Sequence, residues 1–164
     1  MIHVYVGDGK GKTTASIGLS VRAAGHGFKV LFMQFLKDDS SGEIDVLRSI
    51  PGIEVVHCPV DHGFIFQMTE DQKRETAEEY DKMLDKAITS DAFLIVLDEV
   101  IHALNAGIID REKLEQVMDK ESELVLTGRD APEWITDRAD YVSDIQKNKH
   151  PYDRGIQARV GIEF

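Results

Sequence analysis

The sequence has a single cysteine, Cys58, so no intrachain disulfide can form and the fold must be held by its core. It also has only four prolines and one tryptophan. No apolar run reaches the roughly 18 to 20 residues that cross a bilayer, and Met1-Ile2-His3-Val4-Tyr5 lacks the basic start and long apolar stretch of a signal peptide. The expectation is a cytoplasmic protein with no membrane partner. Positive charge is scarce: 19 Lys and Arg face 30 Asp and Glu, for a formal charge of -11. That balance excludes broad binding to nucleic acid or anionic lipid, and leaves room for a small basic pocket. Repeats, low-complexity tracts and linkers are also missing. With 164 residues, 42% of them hydrophobic, the chain can bury one ordinary core, which excludes disorder and predicts one domain over 1–164.

What is there alternates between strand and helix. Ile2 to Val6 is a short β-branched run that breaks into Gly7-Asp8-Gly9-Lys10-Gly11, and Lys12 to Ala24 then reads as a helix. Its small and apolar residues on most faces (Ala15, Ile17, Gly18, Leu19, Val21) predict a helix largely covered by other elements. Strands are predicted at Lys29 to Phe35 and Ile53 to His57, with a short helix around Glu43 to Ser49 between them. Thr69-Glu70-Asp71-Gln72 matches a capping box, so Thr69 to Ser90 is a helix. Phe93 to Leu97 is a continuous apolar run ending in Asp98-Glu99, as in a central parallel strand. A helix capped by Asp110, a strand at Glu123 to Thr127, a short helix at Pro132 to Arg138 and a strand at Tyr141 to Ile145 follow. Ile156 to Phe164 reads as a closing strand. The pattern predicts an α/β domain with helices on both faces of a mostly parallel sheet and ligands beyond the carboxyl ends of its strands.

Gly7-Asp8-Gly9-Lys10-Gly11-Lys12-Thr13-Thr14 lies where backbone amides and a helix N-terminus can cradle phosphate oxygens, with Lys12 adding charge. It departs from G-x-x-x-x-G-K-[ST] because Val6 stands five residues before Gly11. A plain glycine-rich turn is the alternative. Asp98-Glu99 resembles a Walker B element, whose acid holds or orients magnesium beside a P-loop hydroxyl, here that of Thr13. An acid pair at a strand end can also serve solubility alone. Arg129, in Thr127-Gly128-Arg129-Asp130, could reach the same mouth and neutralise phosphate, or be an ordinary surface arginine. His57-Cys58-Pro59-Val60-Asp61-His62 looks metal-like, yet no second Cys/His cluster completes a zinc site. Phe64 and Phe66 are, on composition alone, core anchors.

Taken together, Gly7 to Thr14, Gly63-Phe64-Ile65-Phe66, Leu97-Asp98-Glu99 and Thr127-Gly128-Arg129 resemble the ATP:cob(I)alamin adenosyltransferases of the corrinoid-salvage type. The tail Lys149-His150-Pro151-Tyr152-Asp153-Arg154-Gly155 with Gly161-Ile162-Glu163 is similar as well. The short P-loop is itself a mark of that family. The resemblance implies a P-loop NTPase (RecA-like) three-layer fold, a mostly parallel central sheet and an antiparallel C-terminal strand.

It further implies transfer of the 5′-deoxyadenosyl group of ATP to the Co(I) of a reduced corrinoid, cobalamin or cobinamide, with release of triphosphate. Cobalt would be the nucleophile, which accounts for the lack of a nucleophilic Ser, Cys or His constellation. By this similarity Gly7, Asp8, Gly9, Lys10, Gly11, Lys12, Thr13, Thr14 and Arg129 would bind ATP. Lys12, Arg129 and Glu99 would be catalytic, Thr13 and Glu99 would hold Mg2+, and Asp98 would support the metal shell. Phe64 and Phe66 would press on the lower corrin face and displace its axial ligand; many members have Trp where Phe66 stands. Members with an extra N-terminal segment cover the corrinoid site with it, whereas this sequence starts at its first strand, so weaker binding or another partner's cover is expected. A flavoprotein reductant and a homodimer are the implied partners, with Ile101-His102-Ala103-Leu104 as an apolar contact. Competing classes are a kinase or ATPase that attacks the terminal phosphate and a binding module without turnover. A DNA-dependent ATPase shares the loop but is disfavoured by the charge.

Overall fold

The structure, a computed structural model, describes residues 1–37, 41–63 and 65–162. Six strands, β1 (Ile2–Val6), β2 (Val30–Gln34), β3 (Ile53–His57), β4 (Leu94–Asp98), β5 (Glu123–Thr127) and β6 (Tyr141–Asp144), form one sheet in the order β3-β2-β4-β5-β1-β6. Every pairing is parallel. Parallel neighbours need crossovers, and these are supplied by α1 (Lys12–Gly25), α2 (Glu43–Ser49), α3 (Glu70–Thr89), α4 (Val100–Asn105), α5 (Arg111–Met118) and α6 (Glu133–Thr136). This is the α/β architecture that the sequence pattern predicts, consistent with the P-loop NTPase-like fold that the resemblance implies.

The sheet is buried on both faces because its inner strands β2 and β4 are apolar at every position before their last residues and the pleat divides them. Val30 and Phe32 of β2 pack with Ile44 and Leu47 of α2, while Leu31 and Met33 pack with Leu84 of α3, Ile101 of α4 and Leu114 of α5. Each such side chain contributes roughly 1.5–3 kcal/mol when fully buried. The capping box of α3 is present: Gln72 N–H donates to Thr69 Oγ1 and Thr69 N–H to Gln72 Oε1. Asp110 caps α5 by accepting from Lys113 N–H.

Three expectations are corrected. The C-terminal strand, antiparallel or otherwise, does not form over the described residues up to 162; the tail is a 3-10 turn at Pro151–Arg154 followed by turns. A returning strand would pair with the free edge of β6. Instead the chain leaves that edge at Ile145 and crosses to the glycine loop, where Gly9 N–H donates to Ile145 O at 2.6 Å. Helix α1 is covered on one side only: Ser16, Ser20 and Ala23 are buried, while Ala15, Gly18 and Val21 are exposed. Third, Ile101 and Ala103 are not a surface contact, because α4 turns both into the chain's own core.

Parallel pairing sends all the strands to one end. The last residues of β2, β4 and β5, Gln34, Asp98 and Thr127, meet there, with Gln34 in register with Asp98 and Thr127 with Tyr5. Strand β5 lies between β1 and β4, so the acid pair sits one strand away from the glycine loop.

Candidate active site

The loop between β1 and α1 is shaped by its glycines. Gly7 has φ +103° and Gly11 φ +122°, in the region that side chains rarely adopt. A Cβ on Gly7 or Gly9 would stand 2.5 Å from Ile145 O, so the tail crossing needs both to be bare. Lys12 opens α1 and is nearly buried, with Nζ donating to Gly7 O at 2.6 Å and Gly9 O at 2.9 Å. Burial lowers its ammonium pKa, and the nearby Glu99 carboxylate opposes that effect. The Gly9 amide is engaged by Ile145 rather than open to the cleft.

The strand ends build the second part of the site around Asp98, whose side chain is 0% exposed. Thr13 Oγ1 donates to it at 3.0 and 3.1 Å, Thr127 Oγ1 at 2.7 Å, Gln34 Nε2 at 3.3 Å and Lys37 Nζ at 3.0 Å. A buried carboxylate persists only when paired and hydrogen-bonded in this way. Lys37 Nζ also donates to Thr13 Oγ1 at 3.1 Å. Glu99 follows in a left-handed conformation, φ +63°, and its N–H donates to Thr127 Oγ1 at 2.8 Å. Thr13 is thus in contact with Asp98, whereas Glu99 lines the open cleft.

Thr13 and Asp98 suit a small hard cation. Their oxygens already share contact with one positive group, the Lys37 ammonium, and the donors are hydroxyl and carboxylate oxygen. Among the described residues no group of three or more His, Cys, Asp or Glu could hold a metal ion. Such a sparse protein set fits Mg2+, which keeps waters and takes phosphate oxygens, better than a transition metal.

A cleft of about 750 Å³ opens above these groups, lined by Asp8 to Thr14, Ile17, Lys37, Glu43, Glu99, Arg129, His150 and Ile162 among others. A nucleotide fits that volume. Arg129 reaches the loop, with Nη1 3.4 Å from Asp8 Oδ1, and Asn105 Nδ2 steadies its backbone by donating to Arg129 O and Asp130 O. Lys10 Nζ donates to Ile162 O, so the tail closes one side of the mouth. The structure therefore gathers Gly9 to Thr14, Asp8, Asp98, Glu99 and Arg129 in one place, and Gly7 lies behind them.

Other candidates lie elsewhere. Phe66 is in a 3-10 turn, 81% exposed, and does not line the cleft; Phe64 lies outside the described residues, as does Glu163. In the metal-like loop, burial pushes the Cys58 thiol pKa up, His57 Nδ1 contacts Arg48 and His62 pairs with Glu75. Sequence reasoning missed Lys37 and Gln34, and quoted Thr127 without giving it a role. A signal was available: all three follow or end buried apolar strands on the rim where Asp98 lies.

The sequence model of the family described as ATP:corrinoid adenosyltransferase BtuR/CobO/CobP matches residues 1–164. A corrinoid adenosyltransferase of Pseudomonas aeruginosa is 34% identical over all of this chain and 83% of its own length. Its Escherichia coli K12 counterpart is 31% identical over all of this chain and 85% of its own. Corrinoid adenosyltransferase CobA of Salmonella typhimurium is 30% identical with the same coverage. With a phosphate loop, a buried strand-end carboxylate and an arginine around one cleft, and a match from end to end, the chain belongs to the ATP:corrinoid adenosyltransferase family.

Proposed function

We propose that the protein transfers the 5′-deoxyadenosyl group of ATP to the Co(I) of a reduced corrinoid, cobalamin or cobinamide, and releases triphosphate. The electron pair of Co(I) attacks the ribose 5′ carbon, a Co–C bond forms, and the C5′–O bond breaks with its pair leaving on the triphosphate. No side chain needs to be a nucleophile. The protein's task is to hold ATP with C5′ open to the corrinoid and to stabilise charge on the leaving group.

In this reading Lys12 moves from the Gly7 and Gly9 carbonyls onto the triphosphate, joined by Lys10, Arg129 and the amides of Gly11 to Thr14 at the α1 N-terminus. Thr13 and Asp98 would hold the nucleotide's Mg2+ and Glu99 would support it from the cleft, a different emphasis from Thr13 and Glu99 as the ligand pair. Mg2+, when bound, offsets negative charge on the phosphate oxygens. Phe64 and Phe66 are assigned to the lower corrin face, and the exposure of Phe66 supports a ligand-facing ring over a core anchor. We assign the reaction to the cytoplasm, with a flavoprotein as reductant and a homodimer as the working form.

The observation that carries this reading is the convergence of Lys12, Thr13, Glu99 and Arg129 on one cleft, with Asp98 hydrogen-bonded to Thr13 beneath it, in a chain matched by the family over its full length. The test is anaerobic mixing of protein, magnesium ATP and chemically reduced cob(I)alamin. A light-sensitive alkylcobalt spectrum is expected; ADP formation without any corrinoid, and no such spectrum with cobalamin or cobinamide, would move the protein to the terminal-phosphate class.

A further inference from the structure

Lys37 has no part in the roles set out above, yet its ammonium stands at the centre of the site. Nζ lies 3.1 Å from Thr13 Oγ1 and 3.0 Å from Asp98 Oδ2, the two oxygens that would share the nucleotide's metal. The Thr13 proton is directed at Asp98, so the hydroxyl's acceptor side faces Lys37. Without Lys37, the fully buried Asp98 would carry its charge with only three neutral donors, Thr13, Gln34 and Thr127.

The position of Lys37 is built rather than incidental. Phe35 N–H donates to Asp98 O at 2.9 Å, which pins the end of β2 to β4. Leu36 is held at φ +57° with its N–H donating to Tyr80 Oη at 2.7 Å, and this left-handed residue sets the turn that leads into Lys37. The Lys37 side chain is 29% exposed and lines the nucleotide cleft, so it has open volume to move into. Close by, Gln34 Oε1 is the one buried side-chain N or O atom among the described residues that lacks a hydrogen-bond partner. It is an acceptor of the kind that a metal-bound water donates to.

We infer that Lys37 is a tethered counter-cation that occupies the metal position of the free enzyme and yields it only when metal and nucleotide arrive together. A divalent ion bound by the Thr13 and Asp98 oxygens would take the same lone pairs as the ammonium, so the two cations exclude one another there. A free metal ion must displace Lys37 without bringing an anion of its own to pair with the ammonium, which leaves only solvent and the Glu43 and Glu99 carboxylates of the same cleft. The metal complex of a nucleotide brings phosphate oxygens within reach of the displaced ammonium, so the exchange becomes favourable. Lys37 is thus a positioning residue that makes divalent-cation binding conditional on polyphosphate. The inference rests on the nucleotide-and-metal reading of the cleft and not on the corrinoid chemistry.

The test uses the full-length protein, Mn2+ as the probe and loss of the free Mn2+ electron-paramagnetic-resonance signal as the readout, with no corrinoid present. Wild type is expected to bind Mn2+ weakly alone and tightly with ATP. Lys37→Met is expected to tighten binding of Mn2+ alone on the order of tenfold or more, because the cation competing for the buried Asp98 carboxylate is gone. Lys37→Arg, which keeps the charge, should stay near wild type, and adding Asp98→Asn to Lys37→Met should remove the gain. If Lys37→Met does not fold, Lys37→Gln, whose amide can still donate to Asp98, carries the same expectation. Equal or weaker Mn2+ binding by the neutral variants, or a gain that survives Asp98→Asn, would overturn the inference. Failure of adenosyl transfer with the Mn2+ results intact would overturn only the proposed reaction.

Discussion

Replacing Thr127 with valine keeps the shape of the side chain and removes one hydroxyl, the group that ties the buried acid to the chain beyond it. Thr127 Oγ1 donates to Asp98 Oδ1 at 2.7 Å and accepts from Glu99 N–H at 2.8 Å. The valine variant leaves a charged, fully buried acceptor one donor short, a loss of about 1.5–3 kcal/mol, and an orphaned amide adds about 1–3 kcal/mol. A midrange total of about 4 kcal/mol, against an unfolding entropy of roughly 2.1 cal/mol/K per residue over 164 residues, lowers Tm by about 12 °C. Serine at the same position keeps both hydrogen bonds and should recover most of that loss. Circular dichroism melts of the three proteins at equal concentration measure it. The reasoning fails if Thr127→Val melts within 2 °C of wild type, or if Thr127→Ser falls as far as valine. Because Glu99 sits at φ +63° on the other end of this bridge, the valine variant should also lose ATP affinity.

Other consequences follow from the same contacts. Burial lowers the Lys12 pKa, so in the free enzyme its charge is lost at lower pH than for an ordinary lysine, and triphosphate should raise it again; the alkaline limb of kcat/KM for ATP is expected at lower pH than that of kcat, and coincident limbs would contradict this. Tyr80, pushed up to about 12 by burial, keeps its proton in the folded state while an unfolded tyrosine loses it near 10, so folding stability falls as pH rises between those values. Urea unfolding of Tyr80→Phe should show that slope reduced, and a loss of about 1–3 kcal/mol at neutral pH from the unpaired Leu36 N–H. Gly9→Ala forces a Cβ to within 2.5 Å of Ile145 O and 2.8 Å of Gln146 O, so amide exchange across 145–150 should rise, and an unchanged pattern would contradict the tail crossing.

How far the sequence reveals this molecule depends on the range of the interactions. The strand, glycine loop and helix from Ile2 to Gly25 are legible because each depends on neighbouring residues: β-branched run, bare turn, helix former. The capping box of α3 and the Asp110 cap of α5 are equally local. Asp98 as a buried strand-end acid is legible from the apolar run before it. Its partners are not, since Lys37 is 61 residues away and Thr127 is 29, and both reach it only because β2 and β5 flank β4. The tail misleads for the opposite reason. Ile156, Ala158, Val160 and Ile162 alternate as in a strand, yet the chain is drawn across the strand ends by Ile145 on Gly9 and Ile162 on Lys10, so it does not return along the free edge of β6. In α4, Ile101 and Ala103 give no local sign of whether they face a second chain or their own core; packing against the α3 and α5 side of the sheet decides it.

The central claim is that this cleft holds ATP for attack at its 5′ carbon and lets the three phosphates leave as one unit. Phosphorus NMR of an anaerobic reaction with magnesium ATP and cob(I)alamin measures that outcome. Inorganic triphosphate appearing in step with adenosylated corrinoid, and absent with Lys12→Ala, is the predicted result. ADP and phosphate as the products, or undiminished triphosphate release by Lys12→Ala, would contradict it.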